Sequence, residues 1–223
     1  MVYAHAWLDA PQQPAPPAPG KAVCIGRNYA AHIEELGNER PSEPVLFMKP
    51  RESFVTMRDP IALPQGVGEC QHEIELALLI GAPLAKATPE QARAAVIGYG
   101  LALDLTLREV QSKLKDKGLP WERAKAFDGA CPLAPFIPAD RVAAPEALKF
   151  SLQINGQTRQ EGDQALMLWG LWEALSAASQ VFTLNPGDVF LTGSPAGVGP
   201  LNPGDQLTLS LGDIARFETR VTD

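Results

Sequence analysis

The stretch Glu73-Ile-Glu-Leu-Ala-Leu-Leu-Ile-Gly81 decides how this chain folds. Its apolar run is bounded by glycine and has strand length, so it reads as a β-strand. Successive side chains of a strand point to opposite faces. Ile74, Leu76, Leu78 and Ile80 therefore share one face, which reads as core. Glu73 and Glu75 share the other face with Ala77 and Leu79. Two like charges side by side on an apolar strand are costly unless something neutralises them.

A third acid has the same setting. Asp104 ends the apolar run Gly98-Tyr-Gly-Leu-Ala-Leu-Asp104, which reads as another strand within 96–105. One hard divalent cation would satisfy three such carboxylates. Oxygen ligands suit Mg²⁺ or Mn²⁺, with Ca²⁺ as a further alternative. The competing reading is structural: Glu73 and Glu75 face solvent, and Asp104 pairs with Arg108. The pattern alone leaves both open.

Outward from these strands the chain alternates short elements and turns. Residues 1–20 read as an arm and a Pro-rich linker, Pro11 to Gly20, ahead of a single domain over 21–223. Strands are expected at 21–25, 44–49, 148–154, 158–160, 182–191 and 206–211. Asn155-Gly156 signals a type I′ hairpin turn. Asn185-Pro186-Gly187 and Asn202-Pro203-Gly204 signal further turns. Helices are expected from an Asn28 cap to Gly37, from Pro89 to Ala95 with Thr88 as cap, over 107–117, and over 165–181. The sum is a mainly β, α+β fold with few short helices.

Composition agrees and excludes several classes. The 223 residues carry 45% hydrophobic side chains, 21 prolines and 19 glycines, enough for a turn-rich protein with a sizeable core. A net charge of −7 disfavours nucleic acid and anionic membranes as partners. Cys24, Cys70 and Cys131 are odd in number and show no C-x-x-C spacing, so buried free thiols in a reducing compartment are expected. No apolar run has signal-peptide or membrane-spanning length, so the expectation is a cytoplasmic protein.

His32 and Glu35 lie three apart on the first expected helix, hence on one face. A carboxylate beside imidazole orients the ring and raises its basicity, as a general base requires. A surface His–Glu pair has the same spacing. Arg27, Lys49, Arg108 and Lys125 end apolar segments, where a cation can hold a substrate carboxylate or be solvated. Thr192-Gly-Ser-Pro-Ala-Gly-Val-Gly199 could offer backbone N–H groups to an anion, but matches no P-loop or dinucleotide fingerprint.

Taken in order, several segments resemble one family. They are Gly26-Arg-Asn-Tyr-Ala-Ala-His32, Glu43-Pro-Val-Leu-Phe-Met-Lys-Pro50, His72-Glu-Ile-Glu75, Gly98 to Asp104, and Gly118-Leu-Pro-Trp-Glu-Arg-Ala-Lys-Ala-Phe-Asp128. Ile154-Asn-Gly156, Gly187-Asp-Val-Phe-Leu-Thr-Gly-Ser-Pro195 and Gly197-Val-Gly-Pro200 follow. Together they resemble the fumarylacetoacetate hydrolase family, and its short members related to acylpyruvate hydrolase and oxaloacetate decarboxylase. The resemblance implies a mixed β-roll or barrel of that family's C-terminal-domain type, and a homodimer. It implies a metal, Mg²⁺ first, on Glu73, Glu75 and Asp104. It implies His32 and Glu35 as a catalytic pair on a lid-like segment, with Lys125 near the metal. Arg27, Arg108, Gln111 and Thr192 match substrate-contacting positions. Trp169 and Trp172 depart from the family pattern and read as packing residues.

The activity implied is Mg²⁺-dependent chemistry on small 2-oxo acids. It covers C–C hydrolysis of acylpyruvates and decarboxylation or keto–enol tautomerisation of oxaloacetate. Alternatives are an isomerase or decarboxylase of unsaturated diacids (2-hydroxyhepta-2,4-diene-1,7-dioate type) and a non-catalytic module that binds small acids.

Overall fold

The computed structural model describes residues 3–9 and 15–223. The decisive stretch forms the strand Ile74–Ile80, with every residue buried. Its neighbours are Val96–Leu103, antiparallel, and Val189–Leu191, also antiparallel. They belong to an eight-stranded sheet that continues through Ala22–Gly26 to Val45–Lys49 on one side. On the other it runs through Cys131–Leu133 to Phe54–Thr56, while Ile137–Pro138 pairs with Val96–Leu103. The pairing is mixed: Ala22–Gly26 runs parallel to Val189–Leu191, and Phe54–Thr56 parallel to Cys131–Leu133.

A five-stranded sheet has the order Gln157–Asp163, Lys149–Ile154, Gln206–Leu211, Ala215–Thr222, Ile61–Ala62. A three-stranded sheet joins Gly199–Pro200, Cys70–His72 and Thr106–Leu107. The fold is thus the mainly β roll with short helices that the sequence implies.

Both faces of the Ile74–Ile80 strand are covered. Ile74, Leu76, Leu78 and Ile80 enter the main core, which the five-stranded sheet completes with Leu152, Leu207, Leu209 and Leu211. Ala77 and Leu79 enter a smaller cluster with Ala22, Cys24, Leu133 and Phe136. The arm closes that second face: Tyr3 and Trp7 pack on it, and Leu8 N–H donates to Phe136 O at 2.8 Å. Of the linker expected over 11–20, residues 11–14 lie outside the described residues. Cys24, Cys70 and Cys131 are free and buried.

Local signals read well where side chain and backbone act together. Helix Pro89–Ala95 carries the Thr88–Gln91 capping box with Pro at its start. Asn155 and Gly156 form the turn between Lys149–Ile154 and Gln157–Asp163. Three expectations need correction. Tyr29, not Asn28, is the N-cap of helix Ala30–Glu35, because the Asn28 side chain is taken by tertiary contacts. The helix expected over 165–181 is Leu171–Val181 only; Asp163 caps a short 3-10 turn, Gln164–Leu166, before it. The strand expected over 182–191 is Val189–Leu191, since the Asn185–Gly187 turn interrupts it. The strand Ala215–Thr222 carries charges at alternate positions on an exposed face and was not expected.

Candidate active site

Glu73, Glu75 and Asp104 come together in the structure. Glu75 lies within the Ile74–Ile80 strand and Glu73 just before it. Asp104 follows Val96–Leu103, and its N–H donates to Glu73 O at 2.8 Å. All three are at most 5% exposed. Their carboxylate oxygens lie within 4.8 Å of one another. The solvent-facing reading of Glu73 and Glu75 is therefore excluded, and Arg108 pairs with Glu73 Oε1 rather than with Asp104.

Three cations pair with two of the acids, Glu73 and Asp104. Lys125 Nζ lies 2.8 Å from Glu73 Oε2 and 2.5 Å from Asp104 Oδ2. Lys49 Nζ stands 2.7 Å from Asp104 Oδ1. It also donates to the carbonyls of Lys125 and of Ala130, the latter at 3.0 Å. Arg108 completes the set at Glu73. Burial opposes ionisation of Glu73, but Lys125 and Arg108 hold its carboxyl well below the usual carboxylate range. Glu75 lacks such a partner. Burial, then Asp104, pushes it well above that range. Burial works against the charge of Lys125, yet Asp104 and Glu73 raise its amine above the usual lysine range.

This donor set fits a divalent cation. Glu75 is the member of the triad that no described cation pairs with, and it is buried beside Glu73 and Asp104. Acids crowded together out of water repel one another unless a cation stands between them. Three hard oxygen donors at this spacing suit Mg²⁺-like ions.

The glycine-rich loop after Val189–Leu191 supports the same centre. Gly193 N–H donates to Glu75 Oε2 at 2.7 Å. Its φ is +96°, and a Cβ there would stand 2.7 Å from Asn28 Cβ, so only glycine brings this amide to the carboxylate. Asn28, fully buried, staples that loop to the 167–169 segment. Its Nδ2 donates to Thr192 O at 2.9 Å and to Trp169 O at 3.1 Å, while Oδ1 accepts Trp169 N–H at 2.9 Å.

His32 and Glu35 sit as the spacing requires: Nδ1 lies 3.1 Å from Glu35 Oε2. Glu35 Oε1 also accepts Gly197 N–H at 2.9 Å, tying the helix to the glycine-rich loop. His32 is buried and lines one cavity with Arg27, Glu73, Glu75, Asp104, Arg108, Gln111 and Lys125. Nine of the ten residues singled out from the sequence thus meet at one centre, counting Glu35 through its bond to His32. Thr192 is the exception: it lies outside the lining, and its hydroxyl donates to Leu76 O at 3.1 Å. Ser194 lines the cavity instead. Trp169 packs against the main core, and Trp172 donates to Glu146 Oε1 at 2.6 Å; neither reaches the cavity.

Sequence reasoning missed Gln160. Its Oε1 accepts Ile74 N–H at 3.1 Å and lies 2.8 Å from His72 Nδ1. Its Nε2 donates to Ser194 Oγ and Pro195 O, both at 2.8 Å. A lone Gln in a polar strand gives no signal of this. Lys49 did carry one, a cation closing an apolar strand before proline.

Residues 21–222 match the family described as fumarylacetoacetate (FAA) hydrolase C-terminal. The chain belongs to the fumarylacetoacetate hydrolase family. This family member is 52% identical over 202 residues to oxaloacetate tautomerase YcgM of Escherichia coli K12, covering 90% of this chain and 92% of that one. It is 39% identical over 200 residues to the human mitochondrial oxaloacetate tautomerase FAHD1, covering 89% and 90%. Among solved structures, fumarylpyruvate hydrolase from Pseudomonas aeruginosa in complex with Mn²⁺ and pyruvate superposes with a TM-score of 0.91. Identity there is 33%, and the match covers 100% of this chain and 97% of that one.

Proposed function

We propose that this protein is a divalent-metal-dependent enzyme that interconverts the keto and enol forms of oxaloacetate. Glu73, Glu75 and Asp104 hold the metal, with Mg²⁺ the expected ion. The observation that carries this reading is the buried carboxylate triad facing His32 across one small cavity. The 52% identity to an oxaloacetate tautomerase supports the substrate.

Charge and size support it further. Lys49, Lys125 and Arg108 already offset the three acids in formal charge, and Arg27 and Lys115 add to the cationic lining. A divalent ion there leaves the cavity strongly positive, which favours a dianionic acid over a monoanion. The cavity volume is about 100 Å³, against roughly 300–1,000 Å³ for ordinary ligand pockets. Phe47, Trp121 and Lys125 also line a neighbouring cavity of about 470 Å³, so the first cavity suits the short 2-oxo acid head without setting the length of the rest.

A divalent ion held there supplies Lewis acidity to a chelated 2-oxo acid. The rest falls to the protein. Tautomerisation moves a proton between C3 and the 2-oxo oxygen. Glu35 holds His32 through Nδ1, which leaves Nε2 to exchange the C3 proton. Lys125, kept charged by Asp104 and Glu73, fixes those carboxylates and keeps a positive charge beside the substrate oxygen.

Acylpyruvate hydrolysis is a second reading. The same His32–Glu35 pair can deprotonate water for attack on a distal carbonyl. The Pseudomonas fumarylpyruvate hydrolase with bound pyruvate favours keeping this reading.

Three buried free thiols support a cytoplasmic setting. No described helix is long and apolar enough to cross a membrane. The edge strand Val45–Lys49, with Met48 exposed beside exposed Leu119, supports a homodimer.

The test follows the ultraviolet absorbance of enol-oxaloacetate with Mg²⁺, with and without chelator. Ketonisation above the buffer rate that vanishes with chelator is expected. An unchanged rate with chelator present overturns metal dependence, and a rate equal to buffer overturns the activity.

A further inference from the structure

Arg108 is fully engaged inside the protein. Its Nε donates to Gln71 Oε1 at 2.8 Å, Nη1 to Gln111 Oε1 at 2.7 Å, and Nη2 to Glu73. Two other cations on the cavity lining are not. Arg27 donates through Nη2 to Asn38 Oδ1 at 3.2 Å, and Lys115 Nζ donates to the same oxygen at 2.7 Å. One neutral amide oxygen thus draws two positive groups together. Neither Arg27 nor Lys115 has a carboxylate partner among the described residues.

The local backbone fixes this arrangement. Helix Ala30–Glu35 ends in a Schellman motif. Gly37 N–H donates to Glu34 O at 3.0 Å and Asn38 N–H to Ile33 O at 3.0 Å, with Gly37 at φ +60°. That closure sets Asn38 at the cavity rim, opposite Lys115 on helix Arg108–Asp116. Lys115 lies in the last turn of its helix, where a cation is favoured. Partial burial, with Arg27 and Arg108 nearby, pulls its amine below the usual lysine range, as expected of a cation kept among cations.

Two like charges held on one acceptor, with donors to spare and no acid between them, form a site for an anion. The carboxylate triad lines the same cavity. We infer that Arg27 and Lys115, braced by Asn38, clamp the second carboxylate of a dianionic 2-oxo acid. The proposal rests on the reading of the site as one for small 2-oxo acids, and makes Lys115 the residue that separates dianions from monoanions.

The experiment measures binding by calorimetry to Mg²⁺-loaded protein. The probes are 3,3-difluoro-oxaloacetate, a dianion with no C3 hydrogen, and pyruvate, a monoanion. Lys115→Met should weaken the dianion about tenfold or more, the scale of a hydrogen bond to a charged group. Pyruvate should weaken far less, so the affinity ratio falls. Lys115→Arg should restore most of the ratio. A ratio that Lys115→Met leaves unchanged overturns the clamp. Circular dichroism of both variants confirms the fold. The two readings fail separately. If the ratio falls while wild-type protein does not ketonise oxaloacetate, the tautomerase reading is lost and the clamp stands. If wild-type protein ketonises oxaloacetate and the ratio does not move, the clamp alone is lost.

Discussion

Lys125 Nζ lies 2.5 Å from Asp104 Oδ2, and both residues are at most 3% exposed. The same ammonium reaches Glu73 Oε2 at 2.8 Å. One buried cation therefore screens two carboxylates that would otherwise repel each other and Glu75. Removing one partner of a buried ion pair typically costs about 3–5 kcal/mol. Lys125→Met should destabilise the metal-free protein by about that much in urea unfolding. Mg²⁺ should recover part of the loss, because a cation between the acids takes over the screening. A cost under about 1 kcal/mol, or no response to Mg²⁺, contradicts this account of the centre.

Glu73→Gln keeps the shape of the side chain and removes one charge from the triad. Metal affinity and activity should then fall together, with Mn²⁺ binding followed by electron paramagnetic resonance. Arg108 and Lys125 would also lose a counter-charge, so added metal should not restore wild-type affinity. Full activity in this variant under chelator would show that the triad is a structural ion-pair network only.

His32 is proposed to move a proton without touching the metal. His32→Ala should lower kcat by roughly 10²–10⁴, the usual contribution of a positioned acid–base group, and leave Mn²⁺ affinity within about threefold of wild type. Equal losses in both would make His32 structural or a metal ligand. Glu35→Gln should act in the same direction but more weakly, since Glu35 only orients the ring through Nδ1.

Much of this centre was legible because acids in apolar strands are anomalous in a sequence. Glu73, Glu75 and Asp104 stand out against residues such as Ile74 and Leu103, and period-two alternation puts the first two on one face. His32 and Glu35 were legible from helical spacing. Their position against the cavity was not, because it depends on the Gly197 amide from a loop 162 residues away. Asn28 looked like a helix cap because capping is a local bond. Its side chain instead joins two distant backbone segments, and tertiary contacts override local preference. The 165–181 stretch looked helical from composition, but Asp163 caps a separate short turn first. The assembly of three sheets depends on pairings such as Lys149–Ile154 with Gln206–Leu211, and no local pattern records those.

Gln160 links the five-stranded sheet to both sides of the active centre. Ile74, whose N–H it accepts, lies between Glu73 and Glu75. Because Oε1 accepts that N–H, the facing His72 Nδ1 must carry its proton, which fixes the His72 tautomer. Gln160→Leu leaves the Ile74 N–H and Pro195 O buried without partners. Each unsatisfied group costs roughly 1–3 kcal/mol. The variant should unfold at lower urea, and its Gly193 and Gly197 amides should exchange faster, since Nε2 anchors Ser194 and Pro195 in the same loop. A loss of stability with unchanged exchange at those glycines would confine Gln160 to packing.

The docked arm should respond to pH through His5. Its Nε2 lies 2.9 Å from Gly187 O, so this nitrogen donates, and Nδ1 accepts from Tyr3 OH at 3.1 Å. Neutral imidazole satisfies both contacts. Protonation would put a charge and a second donor between Phe54 and Phe136, against the Tyr3 hydroxyl. Burial accordingly lowers the His5 pKa below the usual histidine value, with the Gly187 carbonyl and Asp188 opposing only in part. A folded-state pKa below the unfolded value of about 6.5 means that the detached arm binds the proton more readily. Docking is then fully stabilised above about pH 6.5 and weakens as pH falls from there toward the folded-state pKa, by at most about 1.4 kcal/mol per pH unit. Hydrogen exchange at Leu8 and Phe136, whose amides donate to Phe136 O and Ala6 O at 2.8 Å each, reads this opening once corrected for the intrinsic rate. Protection should drop between pH 7 and pH 5 in wild-type protein and stay level in His5→Gln. Level protection in both proteins would mean that the arm is held by Tyr3 and Trp7 alone, with His5 a bystander to its docking.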